Sequence, residues 1–172
     1  MKDITVRRAV PGDAAAISMI LARSWKAAYA GMVPQDYLDS LGDGHSAKRV
    51  EKELASGTLN AFLLREGVTP AGAVGFAPSR DESRAGWGEI QFLYVRPGFC
   101  RRGYGKKLLF AAVDALGRLG FETCFLWVLE QNRNARDFYS AAGFRQTRDV
   151  THSEILGQTL TELRYVFPAE AE

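Results

Sequence analysis

The sequence predicts an α/β fold, a central mixed sheet with helices packed on it. Apolar stretches of strand length alternate with longer stretches whose apolar positions keep helical spacing. Their order is strand, helical segments, three strands, helix, strand, helix and two strands, the order of a mixed α/β sheet. The middle of the chain runs strand, glycine turn, helix and strand, which sets a helix N-terminus at the carboxyl end of a strand. With 172 residues, 47% of them hydrophobic and 24% charged, the chain can bury one sizeable core. It shows no internal repeat or low-complexity linker, and a single domain over residues 1–172 is expected.

Ile4 to Arg8 reads as the first strand, ended by Pro11-Gly12-Asp13, with Asp13 as the N-cap of a helix. Ile17, Ile20, Leu21, Trp25 and Ala28 keep one helical face until Gly31 and Pro34 break it. Tyr37-Leu38, and Val50 with Leu54, mark two shorter helical pieces before Gly57. Strands are expected at Asn60 to Arg65, Ala71 to Ala77 and Gly88 to Val95, the last stopped by Pro97. After Gly103-Tyr104-Gly105 a long helix sets Leu108, Leu109, Val113, Leu116 and Leu119 on one face, capped by Gly120. Thr123 to Leu129 is an apolar strand and Asn134 to Ala142 a helix closed by Gly143. Phe144 to Val150 and Leu160 to Phe167 are the last strands, with Ala77 to Gly88 and Asp149 to Gln158 as loops.

Composition narrows the function. No apolar run reaches the roughly 18 residues of a membrane helix, and the start MKDITVRRAV lacks the apolar core of a signal peptide. A cytoplasmic protein without membrane contact is expected. The net charge of +2 argues against a broad nucleic-acid surface, so any anion site must be local. Cys100 and Cys124 cannot make a disulfide framework, and neither they nor His45 and His152 have metal spacing, so no metal is expected.

Two segments carry chemistry. In Cys100-Arg101-Arg102-Gly103-Tyr104-Gly105-Lys106-Lys107 the glycines let the backbone approach a bound group. The helix that starts there offers unpaired N–H donors and a positive dipole end. Its cationic side chains add to a site suited to a polyphosphate, while the plainer reading is a helix start with a solvated basic face. It is neither a G-x-x-x-x-G-K-[ST] loop nor a dinucleotide fingerprint, because Leu108 stands where the third glycine would be. In Leu126 to Phe144, residues Ala135, Phe138, Tyr139 and Ala142 share one helical face, and an isolated Phe-Tyr pair there would read as core.

Taken together, the segments resemble the GCN5-related N-acetyltransferase family, which moves an acetyl group from acetyl-CoA to an amine. Cys100 to Gly105 matches the family's Gln/Arg-x-x-Gly-x-Gly/Ala pyrophosphate motif except at its first position, and Asn132 to Phe144 matches N-x-x-A-x-x-F-Y-x-x-x-G-F in full. Glu89 to Val95 with Pro97 looks like the family's cofactor strand. Trp25 to Leu38 is similar to a W-x-x-x-Y-x-G-x-x-P segment of bacterial members, including polyamine acetyltransferase-like ones. The resemblance implies a mostly antiparallel central sheet with flanking helices and a splayed cofactor cleft, the splay arising at a bulge near Leu93-Tyr94.

By position, Leu93, Tyr94 and Val95 are expected to meet the pantetheine arm and acetyl carbonyl. Arg101, Arg102, Gly103, Tyr104, Gly105 and Lys106 are expected to hold the pyrophosphate, and Asn132 the pantetheine. Tyr139 is the expected general acid, since its ordinary pKa of about 10 lies above the roughly 8.5 of the departing thiol. An alkyl ammonium near pKa 10.4 gives up its proton at pH 7 only at a cost of about 4.6 kcal/mol. Glu89 is the expected base, by resemblance to the histone-acetylating branch; as a bare residue it reads equally as a strand-edge carboxylate. Trp25 and Tyr29 are expected to box the amine by cation–π contact, although Trp25 also reads as core.

The expected function is therefore N-acetylation of a small-molecule amine by direct attack in a ternary complex, in a protein for which the family admits a homodimer. A non-catalytic acyl-CoA-binding module is the rival reading. The presence of both Tyr139 and Glu89 argues against it, since a pure binder needs neither.

Overall fold

The computed structural model describes residues 2–168. Among these, seven strands form one sheet in the order β1-β2-β3-β4-β5-β7-β6. They are β1 (Ile4–Arg8), β2 (Asn60–Glu66), β3 (Thr69–Pro78), β4 (Gly88–Val95), β5 (Cys124–Leu129), β6 (Arg145–Ile155) and β7 (Gln158–Phe167). Every neighbouring pair is antiparallel except β4 and β5. The helices are α1 (Ala14–Ala28), α2 (Gln35–Ser40), α3 (Ala47–Ser56), α4 (Tyr104–Arg118) and α5 (Arg133–Ala141).

Apolar periodicity decides which face each helix covers. Leu108, Leu109, Ala112 and Leu116 of α4 pack with Phe76, Ile90, Leu126 and Val128 on one face of the sheet. Ile17 and Ile20 of α1 and Val50 of α3 cover Leu63 and Ala73 on the other. Each fully buried leucine or isoleucine contributes about 1.5–3 kcal/mol. A third cluster joins Leu38 of α2 to Leu129, Leu160, Trp25 and Tyr29.

The parallel pair creates the cleft. β4 and β5 are bonded only at Gly88↔Cys124 and Glu89↔Phe125, and diverge beyond. The register of β4 on β3 slips there, with Gly75 opposite Phe92 but Phe76 opposite Ile90, so Gln91 is the extra residue. The bulge is thus at Gln91, ahead of the Leu93-Tyr94 position expected from sequence. Next to the bulge the Phe92 ring packs over Gly75, where a Cβ would lie 2.3 Å from it.

Two further expectations are corrected. Asp13 stands at the N-cap of α1, but its carboxylate takes two hydrogen bonds from Arg7 and one from the Val10 N–H instead of capping the helix. The loop read over Asp149 to Gln158 is mostly strand. β6 runs to Ile155 and returns into β7 through Leu156-Gly157, both with positive φ, as a two-residue hairpin turn requires.

Candidate active site

The gap between β4 and β5 opens into a cavity of about 960 Å³, roofed by the starts of α4 and α5 and by Ala27, Ala28 and Tyr29 of the α1 end. Arg96 donates its backbone N–H to Ala71 on β3. Strand alternation therefore turns the N–H groups of Leu93 and Val95 toward the gap, where no strand meets them. The Val95 carbonyl accepts a hydrogen bond from Ser24 at 3.3 Å, which ties α1 to the cleft wall.

At one end the chain winds through Gly98, Arg101 and Gly103, with φ of +87, +61 and +78, before α4 begins. Such turns gather backbone N–H groups into an anion-binding concavity at a helix start. The left-handed geometry costs Arg101 about 1–2 kcal/mol, since it carries a Cβ. Arg101, Gly103, Tyr104, Gly105 and Lys106 line the cavity. Arg102 does not; its guanidinium pairs with Glu66 at 2.7 Å, and the Tyr104 hydroxyl donates to the same carboxylate. The Cys100 thiol is turned to the Val95 and Arg96 carbonyls.

Asn132 caps α5, its Oδ1 accepting from the Ala135 N–H at 3.2 Å. The cap uses only the acceptor half of the amide, and the donor half remains for a ligand in the cavity that Asn132 lines. Two helical turns on, Tyr139 lines the same cavity. Its ring is wedged among Phe138, Phe144 and Tyr165 at centroid distances of 5.1, 5.7 and 6.4 Å. Burial, with a smaller contribution from Tyr29, raises its pKa well above that of ordinary tyrosine, so the hydroxyl keeps its proton at neutral pH.

Opposite it, the Tyr29 and Tyr94 hydroxyls are 2.9 Å apart. Burial pushes both pKa values up, Tyr94 furthest. Trp25 is not among the cavity residues. It packs edge-on to Tyr29 at 4.7 Å within the α2 cluster, backing the tyrosine.

Glu89 sits on β4 before the bulge, 3% exposed and away from the cavity lining. Its carboxylate accepts three hydrogen bonds from Arg80: the backbone N–H, Nε and Nη2, the last at 2.6 Å. Accepting a proton there means breaking that pair. Sequence reasoning missed Gln91 and Trp127, which also line the cavity, and Glu162 of β7. The signal for Glu162 was a lone carboxylate on the face that carries Leu160.

Residues 25–144 match the model of the acetyltransferase (GNAT) family. The uncharacterized N-acetyltransferase YuaI of Bacillus subtilis is 29% identical over 167 residues, which is 96% of this chain and 93% of that one. A spermidine N(1)-acetyltransferase of Thermoplasma acidophilum is 26% identical over 144 residues, covering 83% of this chain and 88% of the relative. The crystal structure of the PaiA N-acetyltransferase of Thermoplasma acidophilum, in complex with coenzyme A, superposes with a TM-score of 0.75. The two are 22% identical, and the match covers 93% of this chain and 98% of that one. The chain belongs to the acetyltransferase (GNAT) family and is an acetyl-CoA-dependent acetyltransferase.

Proposed function

We propose that the protein acetylates a small primary amine, with acceptor and acetyl-CoA bound in the cleft at once and the amine attacking directly. The observation that carries this reading is the β4–β5 gap, which joins a basic helix start at one end to Tyr139 in its wall. The residues present fit the cofactor. The α4 turn supplies N–H groups and Lys106 for a pyrophosphate, and β4 supplies the unpaired N–H groups of Leu93 and Val95 for a pantetheine amide. Asn132 adds an amide donor. When bound, acetyl-CoA supplies an activated acetyl thioester.

The protein's own residues do the rest. The amine attacks in its neutral form; Tyr139 gives its Oη proton to the departing thiolate, and the proton lost from the attacking nitrogen restores the tyrosine. Tyr29 and Tyr94 keep the cavity wall polar at the α1 end. We assign Glu89 to holding Arg80, and with it the connection between β3 and β4, and we place the role of Arg102 in anchoring the cradle to Glu66. A cytoplasmic setting belongs to this reading and agrees with the unpaired thiols of Cys100 and Cys124. The spermidine relative makes polyamines the first acceptors to try.

Calorimetry with Gly103→Glu tests the cradle. A Cβ at Gly103 meets no atom within 4 Å, but its φ of +78 costs an L residue about 1–2 kcal/mol, so the variant loses some stability while its carboxylate repels the anion. Acetyl-CoA affinity is expected to fall at least about tenfold, the scale of one charge-assisted contact. Unchanged affinity in the folded variant refutes the placement. A panel of amines including spermidine, read by release of free thiol, tests the reaction; cofactor binding without any turnover would favour a binding module.

A further inference from the structure

The charged groups on the α1 face of the sheet are almost all paired. Glu89 is bound by Arg80, Asp81 by Arg164, and Asp149 by Arg84 and Arg164. Glu162 is the exception: it has no hydrogen bond or ion pair to any described residue, although it is half-buried. A carboxylate withdrawn from water without a partner is costly unless a ligand completes it.

Its position is defined by its neighbours. Glu162 lies opposite Leu129 on β5 and Thr151 on β6. Strand alternation gives it the same face as Leu160 and Arg164, two residues to either side. Leu160 packs with Leu129, Trp25 and Tyr29. The Arg164 guanidinium lies 4.6 Å from the centroids of both Phe125 and Trp127. Leu129, Trp127 and Tyr29 line the cavity, and the Glu162 charge adds a small push to the Tyr29 pKa, after burial and the Tyr94 hydrogen bond. A negative charge therefore stands just outside the cavity lining where β5 ends, near Tyr29, while Arg164 already covers the Phe125 and Trp127 rings. Such surroundings suit an organic cation, which gains both ionic and cation–π attraction. Burial also lifts the carboxyl above the usual glutamate range, as an unpaired group should behave.

We infer that Glu162 is the acceptor-recognition carboxylate, binding the ammonium group of a cationic alkyl amine against Tyr29. This rests on the acetylation reading and names its substrate class. An acceptor whose own carboxylate would face Glu162 is disfavoured, so the site selects alkyl amines and polyamines over compounds with an anion at that end.

The test uses Glu162→Gln, which keeps the shape and removes the charge, and Glu162→Asp, which keeps the charge. With 1,4-diaminobutane and acetyl-CoA, Glu162→Gln is expected to raise the KM for the amine at least about tenfold. Its kcat should stay within about threefold, which separates lost uniform binding from lost chemistry. The KM for acetyl-CoA stays unchanged, and Glu162→Asp recovers part of the amine affinity. Butyltrimethylammonium, which cannot be acetylated, should compete with the amine in the wild type and lose that effect in Glu162→Gln. Equal amine KM and equal inhibition in folded Glu162→Gln overturn the inference while leaving acetylation intact. A matched rise in both KM values overturns it too, as the mark of a merely structural role. If the wild type does not accept 1,4-diaminobutane, tryptophan fluorescence of the coenzyme A-loaded protein still reads butyltrimethylammonium binding. Failure to bind that cation overturns the inference, whereas failure to bind acetyl-CoA overturns the proposed function itself.

Discussion

Replacing Tyr139 with Phe removes one oxygen from the cleft and keeps the ring that Phe138, Phe144 and Tyr165 enclose. The ring is buried, but the hydroxyl reaches the cavity and no hydrogen bond from a described residue holds it, so its loss should change stability by no more than about 1 kcal/mol. The kinetic effect should be larger. A thiol of ordinary pKa about 8.5 lies about 1.5 units above pH 7, so release as thiolate instead of thiol forfeits about 2 kcal/mol, or about thirtyfold. A donor already in place adds to that floor, and general acids contribute 10²–10⁴. We expect kcat to fall about 10²-fold at pH 7 with acetyl-CoA affinity nearly unchanged.

Burial lifts the Tyr139 pKa, so the wild type keeps its acid throughout the assay range. The defect should therefore be constant across that range, because departure of the thiolate in the variant involves no proton and does not depend on pH. Single-turnover and steady-state rates from pH 6.5 to 9.5, with Tm and calorimetry as controls, read this (a span of about 3 units centred near the thiol value). Turnover within twofold of wild type, or a defect confined to the KM for acetyl-CoA, would refute the acid role and leave the ring as core.

Other perturbations probe the frame that positions the cleft. Gly75→Ala should destabilise by about 1–3 kcal/mol, because its Cβ would lie 2.3 Å from Phe92 beside the bulge; a denaturation midpoint equal to wild type would show that Phe92 moves freely. Arg80→Ala strands the Glu89 carboxylate, whose side chain is 4% exposed. Losing one partner of a buried pair costs about 3–5 kcal/mol, but Arg80 is itself 66% exposed, so about 1–2 kcal/mol is expected. A double-mutant cycle with Glu89→Gln that shows no coupling would refute that pairing. Ser83 and then Arg164 hold the Asp81 carboxyl down at about 2, below its unfolded value. That pairing stabilises the fold above about pH 4 and is lost as pH falls toward 2. Asp81→Asn should thus lower the urea midpoint at pH 7, with the difference vanishing near pH 2; a difference independent of pH would contradict it.

Local rules made most elements readable from the chain. Apolar period placed α1 and α4, and the β4 limits Gly88–Val95 agree with those read from sequence because Pro97 ends the strand. Gly120 and Gly143, with φ of +95, stop α4 and α5 as left-handed residues do. The glycine turn before α4 and the Asn-to-Phe segment over α5 were legible for the same reason: backbone geometry and capping depend on nearby residues. The first half of β6 was read too, but its second half, to Ile155, was not, because it is a sheet edge paired only with β7, with few apolar residues to give it an alternating signal. Its turn uses Leu156-Gly157, which lacks the Asn-Gly signature.

The site divides along the same line. The types of residue in the cradle, and Tyr139 beside it, follow from short-range motifs. Where each side chain points was settled by partners far away in the chain. Glu66, 36 residues before Arg102, draws that guanidinium off the cleft. Arg80 closes over Glu89, and the α2 cluster draws Trp25 behind Tyr29. Phe92 beside the bulge at Gln91 packs over a glycine of the neighbouring strand, and the isolation of Glu162 reflects how three strands and α1 leave it without a cation among the described residues. A sequence states which charges a chain carries; only packing determines which of them neutralise one another and which are left to meet a ligand.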